Sequence, residues 1–188
     1  MKNKAVKIVL ICAAATLAVC LSIGAAGYFL FFRDVESHNL DIYKKDQIVS
    51  NGRMPDVEEL KPCNDISFTY YNEKFAFFES HGYTLTAYYG NNEYPEKKAY
   101  FMGKSQVEKS FTHGKFDMIR LKNSEYDKDF PKVAYYYGFN DETRQIVFVH
   151  FHDGDIDGAS DLEVLNICRF DKAVSYKNQT DYNSQIEI

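Results

Sequence analysis

The densest run of reactive side chains is His150-Phe151-His152-Asp153-Gly154-Asp155-Ile156-Asp157-Gly158-Ala159-Ser160-Asp161. Asp153, Asp155, Asp157 and Asp161, with Gly158 among them, follow the spacing D-x-D-x-D-G-x-x-D. In that spacing alternate carboxylates converge on a hard cation and the glycine permits a sharp turn, so calcium is the ion these four residues would take. A second chemistry overlaps the first. His150 and His152 project from the same face of a strand, the arrangement in which an H-x-H pair holds zinc. Against both stands an ordinary structural account: Asp and Gly are common turn residues, and Ser160, Asp161 and Glu163 are explained by helix capping.

The aspartate spacing resembles that of EF-hand-like extracellular calcium loops, which implies calcium binding. It departs from them at the twelfth position, where Val164 stands in place of a bidentate Glu and Glu163 falls one residue early. The histidine pair is similar to the start of the H-x-H-x-D-H motif of metallo-β-lactamase-like hydrolases, but Gly154 occupies the aspartate position and Asp155 the next histidine position. His81 and His113 lie far away in sequence, so no third nitrogen ligand is placed. The chain has no G-x-S-x-G, P-loop or dinucleotide fingerprint, and no catalytic residue is assigned.

The elements that would position this segment are a strand before it and a helix after it. Ile146 to His152 alternates and pairs with Val133 to Phe139 as a hairpin around Asn140-Asp141-Glu142-Thr143. Ser160 and Glu163 form a capping box that opens a terminal helix carrying Leu162, Leu165 and Ile167. Upstream, β-branched and aromatic alternation predicts a meander of three short strands: Ile66 to Tyr70, Phe75 to Glu79, and Tyr83 to Tyr89. Asn72-Glu73-Lys74 and Ser80-His81-Gly82 serve as its turns. Pro55 to Leu60 reads as a helical turn, Tyr94 to Ser110 as a helix, and Phe116 to Leu121 as a strand. The expected fold class is therefore α+β: an N-terminal transmembrane helix, then one domain with a mainly antiparallel sheet and two or three helices packed on one face.

The transmembrane expectation comes from the run Ile8 to Phe32, which has no Asp, Glu, Lys, Arg or His and follows Lys2, Lys4 and Lys7. As a helix it would be roughly 37 Å long, enough to span a ~30 Å hydrocarbon core with tilt. A cleaved signal is the rival reading. It would have a shorter core and would leave Tyr28, Phe29, Leu30, Phe31 and Phe32 as an apolar new terminus. Leu17-Ala18-Val19-Cys20 fits a lipoprotein box poorly, because Val19 is large and an apolar stretch follows it.

The basic flank places the N-terminus in the cytoplasm and the C-terminal domain outside a cell membrane, in single-pass topology. The organisation expected is a cytoplasmic tail (1–7), an anchor (8–32), a stalk (33–53), an extracytoplasmic domain (54–175) and a polar tail (176–188). Small residues at Ser22 and Ala26, or Gly24 and Gly27, would let anchors associate.

Setting the three N-terminal lysines aside from the 22 basic residues leaves 19 against 27 acidic, about −8 for the domain, which excludes nucleic acid as its partner. The lipid bilayer is the expected partner of the anchor, and a protein or carbohydrate ligand that of the domain. The chain has 15 Tyr and 15 Phe and no Trp; alternation assigns most of them to a core, and runs such as Tyr135-Tyr136-Tyr137 put rings on both faces. Outside the anchor, Cys63 and Cys168 are expected to form a disulfide, the alternative being two buried thiols.

Over residues 54–170 the domain resembles small single-anchor surface proteins of uncharacterised families in Gram-positive bacteria, on stretches such as Ile66-Ser67-Phe68-Thr69-Tyr70-Tyr71 and Val149-His150-Phe151-His152-Asp153. The resemblance implies surface display and brings no activity with it. Two function classes follow: a surface binding, sensory or structural module, or a calcium- or zinc-dependent extracellular enzyme or binding domain using residues 150–161.

Overall fold

A computed structural model describes residues 2–31, 34–46, 52–75, 78–122, 133–153 and 160–171. Helix α1 (Lys2–Phe31) is long and apolar enough to cross a membrane, a property it shares with signal sequences, and none of its stretch Ile11–Tyr28 is buried by the described residues. The remaining elements among the described residues are β1 (Val35–Ser37), α2 (Leu40–Asp46), a 3-10 turn (Glu58–Leu60) within the expected helical turn, β2 (Asp65–Phe75), β3 (Phe78–Tyr88), α3 (Glu93–Lys104), β4 (Val107–His113), β5 (Phe116–Leu121), β6 (Val133–Asn140), β7 (Gln145–Asp153) and α4 (Asp161–Ile167). The strands form one seven-stranded antiparallel sheet in the order β1-β2-β3-β7-β6-β5-β4. The fold class is thus α+β, as expected.

Strand alternation sends apolar residues to both faces, because both faces are covered. One face carries Phe68, Tyr83, Leu85, Tyr135, Tyr137 and Phe148, packed with Tyr43 of α2 and with Tyr94 and Phe101 of α3. The other carries Ala134, Tyr136, Val147, Val149 and Phe151 under Val164 and Leu165 of α4, followed by Cys168 and Phe170. Helices therefore sit on both faces, not on one, and the triplet Tyr135-Tyr136-Tyr137 is buried throughout. Among the described residues every member of both cores lies at Leu40 or beyond, and none belongs to α1.

Four further sequence expectations change. The three-strand meander is instead one hairpin of two 11-residue strands, β2 and β3. The residues read as turns continue the ladder, with Asn72 opposite His81 and Glu73 opposite Ser80. The helix expected over Tyr94 to Ser110 stops at Lys104, so that Gly103 lies in its last turn, and Val107–His113 is an edge strand.

Residues 33–53 are not merely a stalk. β1 pairs with β2, and Tyr43 is fully buried, its hydroxyl donating to the Pro55 carbonyl. The disulfide is not made either. Cys63 and Cys168 are free thiols: Cys63 packs against the first core and Cys168 lies within the second, so the sheet separates them. The tail 176–188 lies outside the described residues.

Gly82 is needed for space rather than for a turn. A Cβ there would lie 2.5 Å from Cys168 Sγ and 2.9 Å from the His150 carbonyl oxygen, and the second atom is backbone that cannot swing away. Gly82→Ala is expected to destabilise the domain by about 2–3 kcal/mol, measured by urea unfolding; a change within experimental error would show that the helix-side face yields.

Candidate functional site

The register of β3 against β7 sets His81 opposite His152 and Tyr83 opposite His150. Alternation turns all four side chains to the α3 side, where Tyr135 of β6, opposite His150, joins them. The His81 and His152 rings stack at 4.8 Å, and His150 lies 6.4 Å from His81 and 4.9 Å from both Tyr83 and Tyr135. Folding thus supplies the third imidazole that sequence spacing did not.

His150 is buried, and neither its Nδ1 nor that of His152 has a hydrogen-bond partner among the described residues. Burial, reinforced by the positive charge that His81 and His152 would carry, pushes the His150 imidazole down to about 3, so it is neutral at physiological pH. Ring nitrogens donate to a metal in the ring plane, so the nearly parallel His81 and His152 would have to turn before sharing one ion. Among the described residues no group of three or more His, Cys, Asp or Glu side chains is arranged to hold a metal.

The aspartates divide. Asp155 and Asp157 lie outside the described residues, and Asp153 ends β7 opposite Ser80. Asp161 is committed to the fold. From the first turn of α4 its carboxylate accepts from Arg120 Nη1 at 2.8 Å and Tyr136 Oη at 3.0 Å, and it also pairs with Lys109. Burial would raise the Asp161 carboxyl, but the hydrogen bonds from Lys109 and Tyr136 and the adjacent positive charges together hold it below the usual range. The capping box is present: Ser160 Oγ accepts from Glu163 N at 3.3 Å, and Glu163 Oε2 accepts from Ser160 N at 2.7 Å.

A groove of about 540 Å³ lies at the other end of the sheet, where the β4–β5 and β6–β7 turns meet the end of β3. Tyr88, Phe116 and Phe170 wall it, and Asn140, Gln145 and Arg144 add polar groups. A scan against protein-family models, a search of curated proteins and a search of solved structures each found no match to this chain.

Asn140 and Gln145 are buried, and the β6–β7 turn fixes their amides. Asn140 Oδ1 accepts from the backbone of Glu142 at 3.0 Å and of Thr143 at 3.1 Å, and Gln145 Oε1 accepts from Thr143 Oγ1 at 2.8 Å. The NH2 groups are what these amides have left to offer a ligand. A concavity of this size with apolar walls and a few oriented polar groups is the usual form of a small-molecule site. Sequence reading identified 140–143 as a turn but not the groove, because its walls come from five separate segments.

Proposed function

We propose that this chain is a single-pass membrane protein that displays its sheet domain on the outer face as a binding or sensory module, with the groove between the β4–β5 and β6–β7 turns as its binding site. The observation that carries this reading is α1: an apolar helix of membrane-spanning length whose stretch Ile11–Tyr28 is unburied, beside a domain whose two cores, among the described residues, include none of its side chains. Lys2, Lys4 and Lys7 support a cytoplasmic N-terminus, and the resemblance to single-anchor surface proteins agrees with it.

The test uses a C-terminally tagged full chain expressed in bacteria. It is expected to stay in the membrane pellet after alkaline carbonate extraction, to keep residues 1–32 by mass, and to lose its tag to protease added outside cells whose envelope has been opened. A soluble product lacking the apolar run would overturn the anchor. The alternative, a calcium- or zinc-dependent domain using residues 150–161, gains His81 as a neighbour of His150 and His152, whereas Asp161 is taken up by Arg120, Lys109 and Tyr136.

A further inference from the structure

Arg144 adopts a conformation that its residue type does not favour. It closes the β6–β7 turn at φ 56°, in the left-handed region where Gly or Asn is the natural occupant. The turn dictates the φ but not the side chain, and strained non-glycine residues of this kind cluster at ligand sites. Arg144 lines both the groove and the neighbouring concavity that holds Asn91, Lys98 and Asp141, and its guanidinium hydrogen-bonds Asn91, a neutral amide, so that bond leaves its charge uncompensated. Two further polar groups of the groove, the amides of Asn140 and Gln145, have their oxygens engaged by the turn and offer donors.

We propose that the groove binds a small carboxylate carried on a flat apolar body, with Arg144 clamping the carboxylate, Asn140 and Gln145 donating to it, and Tyr88, Phe116 and Phe170 packing the apolar body. Charge selects the acid over neutral ligands. The site presents donors and a cation within a domain of net negative charge, so a carboxylate fits where a neutral polyol, which needs acceptors as well as donors, fits less well. The nearby acids do not cancel this. Glu142 pairs with Lys115 at 2.8 Å, Asp141 with Lys98 at 2.6 Å, and Asp171 faces His113 at 3.8 Å, so each lies beside a basic group of its own. The proposal rests on reading the groove as the binding site and adds the class of ligand.

The experiment is calorimetric titration of the full chain in lipid nanodiscs with phenylacetate and, in parallel, with phenylacetamide, which has the same shape but no charge. Phenylacetate is expected to bind with a Kd of about 1 mM or tighter, as befits so small a ligand, and about tenfold or more tighter than the amide. Arg144→Gly separates a ligand role from a structural one. Because it relieves the left-handed strain, it is expected to hold or raise the thermal midpoint, by about 2–5 °C, while weakening phenylacetate at least tenfold.

Equal binding of acid and amide would overturn the carboxylate assignment and leave the groove as a site. Binding unchanged in Arg144→Gly would overturn the clamp. No binding of either probe would overturn the groove as well, while the anchor stands or falls by the extraction test alone.

Discussion

Asp161→Ala is expected to destabilise the domain by about 3 kcal/mol. Its carboxylate is the point at which α4 is tied to the sheet: Tyr136 of β6, Arg120 of β5 and Lys109 of β4 all converge on it. The Arg120 and Asp161 side chains are only 16% and 10% exposed, so truncating the acid strands a largely desolvated guanidinium, and breaking such a pair costs about 3–5 kcal/mol. The low end applies because Arg120 keeps Glu108 at 3.3 Å and Lys109 is half exposed. Asp161→Asn retains an acceptor for Tyr136 and should cost about half as much.

Urea unfolding of the full chain in detergent, followed by far-ultraviolet circular dichroism, reads both variants. The loss should be equal with calcium and with chelator. A wild-type stability that rises with calcium, and fails to do so in Asp161→Ala, would instead return Asp161 to the calcium loop that the aspartate spacing suggests.

Asp161 also marks where sequence reading reached its limit. Its place in the first turn of a capped helix was legible, because Ser160 and Glu163 lie three residues apart and that local spacing specifies the box. The β6–β7 hairpin was legible for the same kind of reason: alternation on either side of a polar four-residue turn. Its ion partners were not, since Lys109, Arg120 and Tyr136 arrive from three strands whose registers are set by tertiary pairing. The β2–β3 hairpin was misread because Asn72, Ser80 and Gly82 are turn formers by local preference, while the ladder to β7 holds β3 extended through them. The same register brought His81 to His152, and no local pattern announces it. Arg144 was invisible for a further reason, because a residue type does not disclose its own φ.

The histidine cluster makes the domain sensitive to mild acid, and the sign follows from the proton count. His150 ionises in the unfolded chain near its ordinary value of 6.5, but folding pushes it down to about 3, chiefly by burial and then through His81 and His152. Above about pH 6.5 it is neutral in both states and has no effect. As the pH falls below 6.5 the unfolded chain binds a proton that the folded domain does not, so stability declines with acid by up to about 1.4 kcal/mol per pH unit until the folded value is reached. At pH 5 the loss should be about 2 kcal/mol relative to pH 7.5.

The interval from pH 7.5 to 5 lies above the range in which the lowered carboxylates Asp161 and Glu163 begin to cost stability, so His150 is read there before the carboxylates add to the loss at lower pH. The groups packed around His150 are His81, His152, Tyr83 and Tyr135, with the Arg53 guanidinium over the Tyr135 ring at 5.4 Å; no carboxylate is seen in these contacts to welcome a charge. His150→Phe keeps an aromatic ring between Tyr83 and Tyr135 and removes the proton site, so it should flatten the profile between pH 7.5 and 5 while leaving stability at pH 7.5 within about 1 kcal/mol. A wild-type profile already flat over that interval would mean that His150 reaches water when charged, and the buried imidazole would lose its role as the acid-labile point of the sheet.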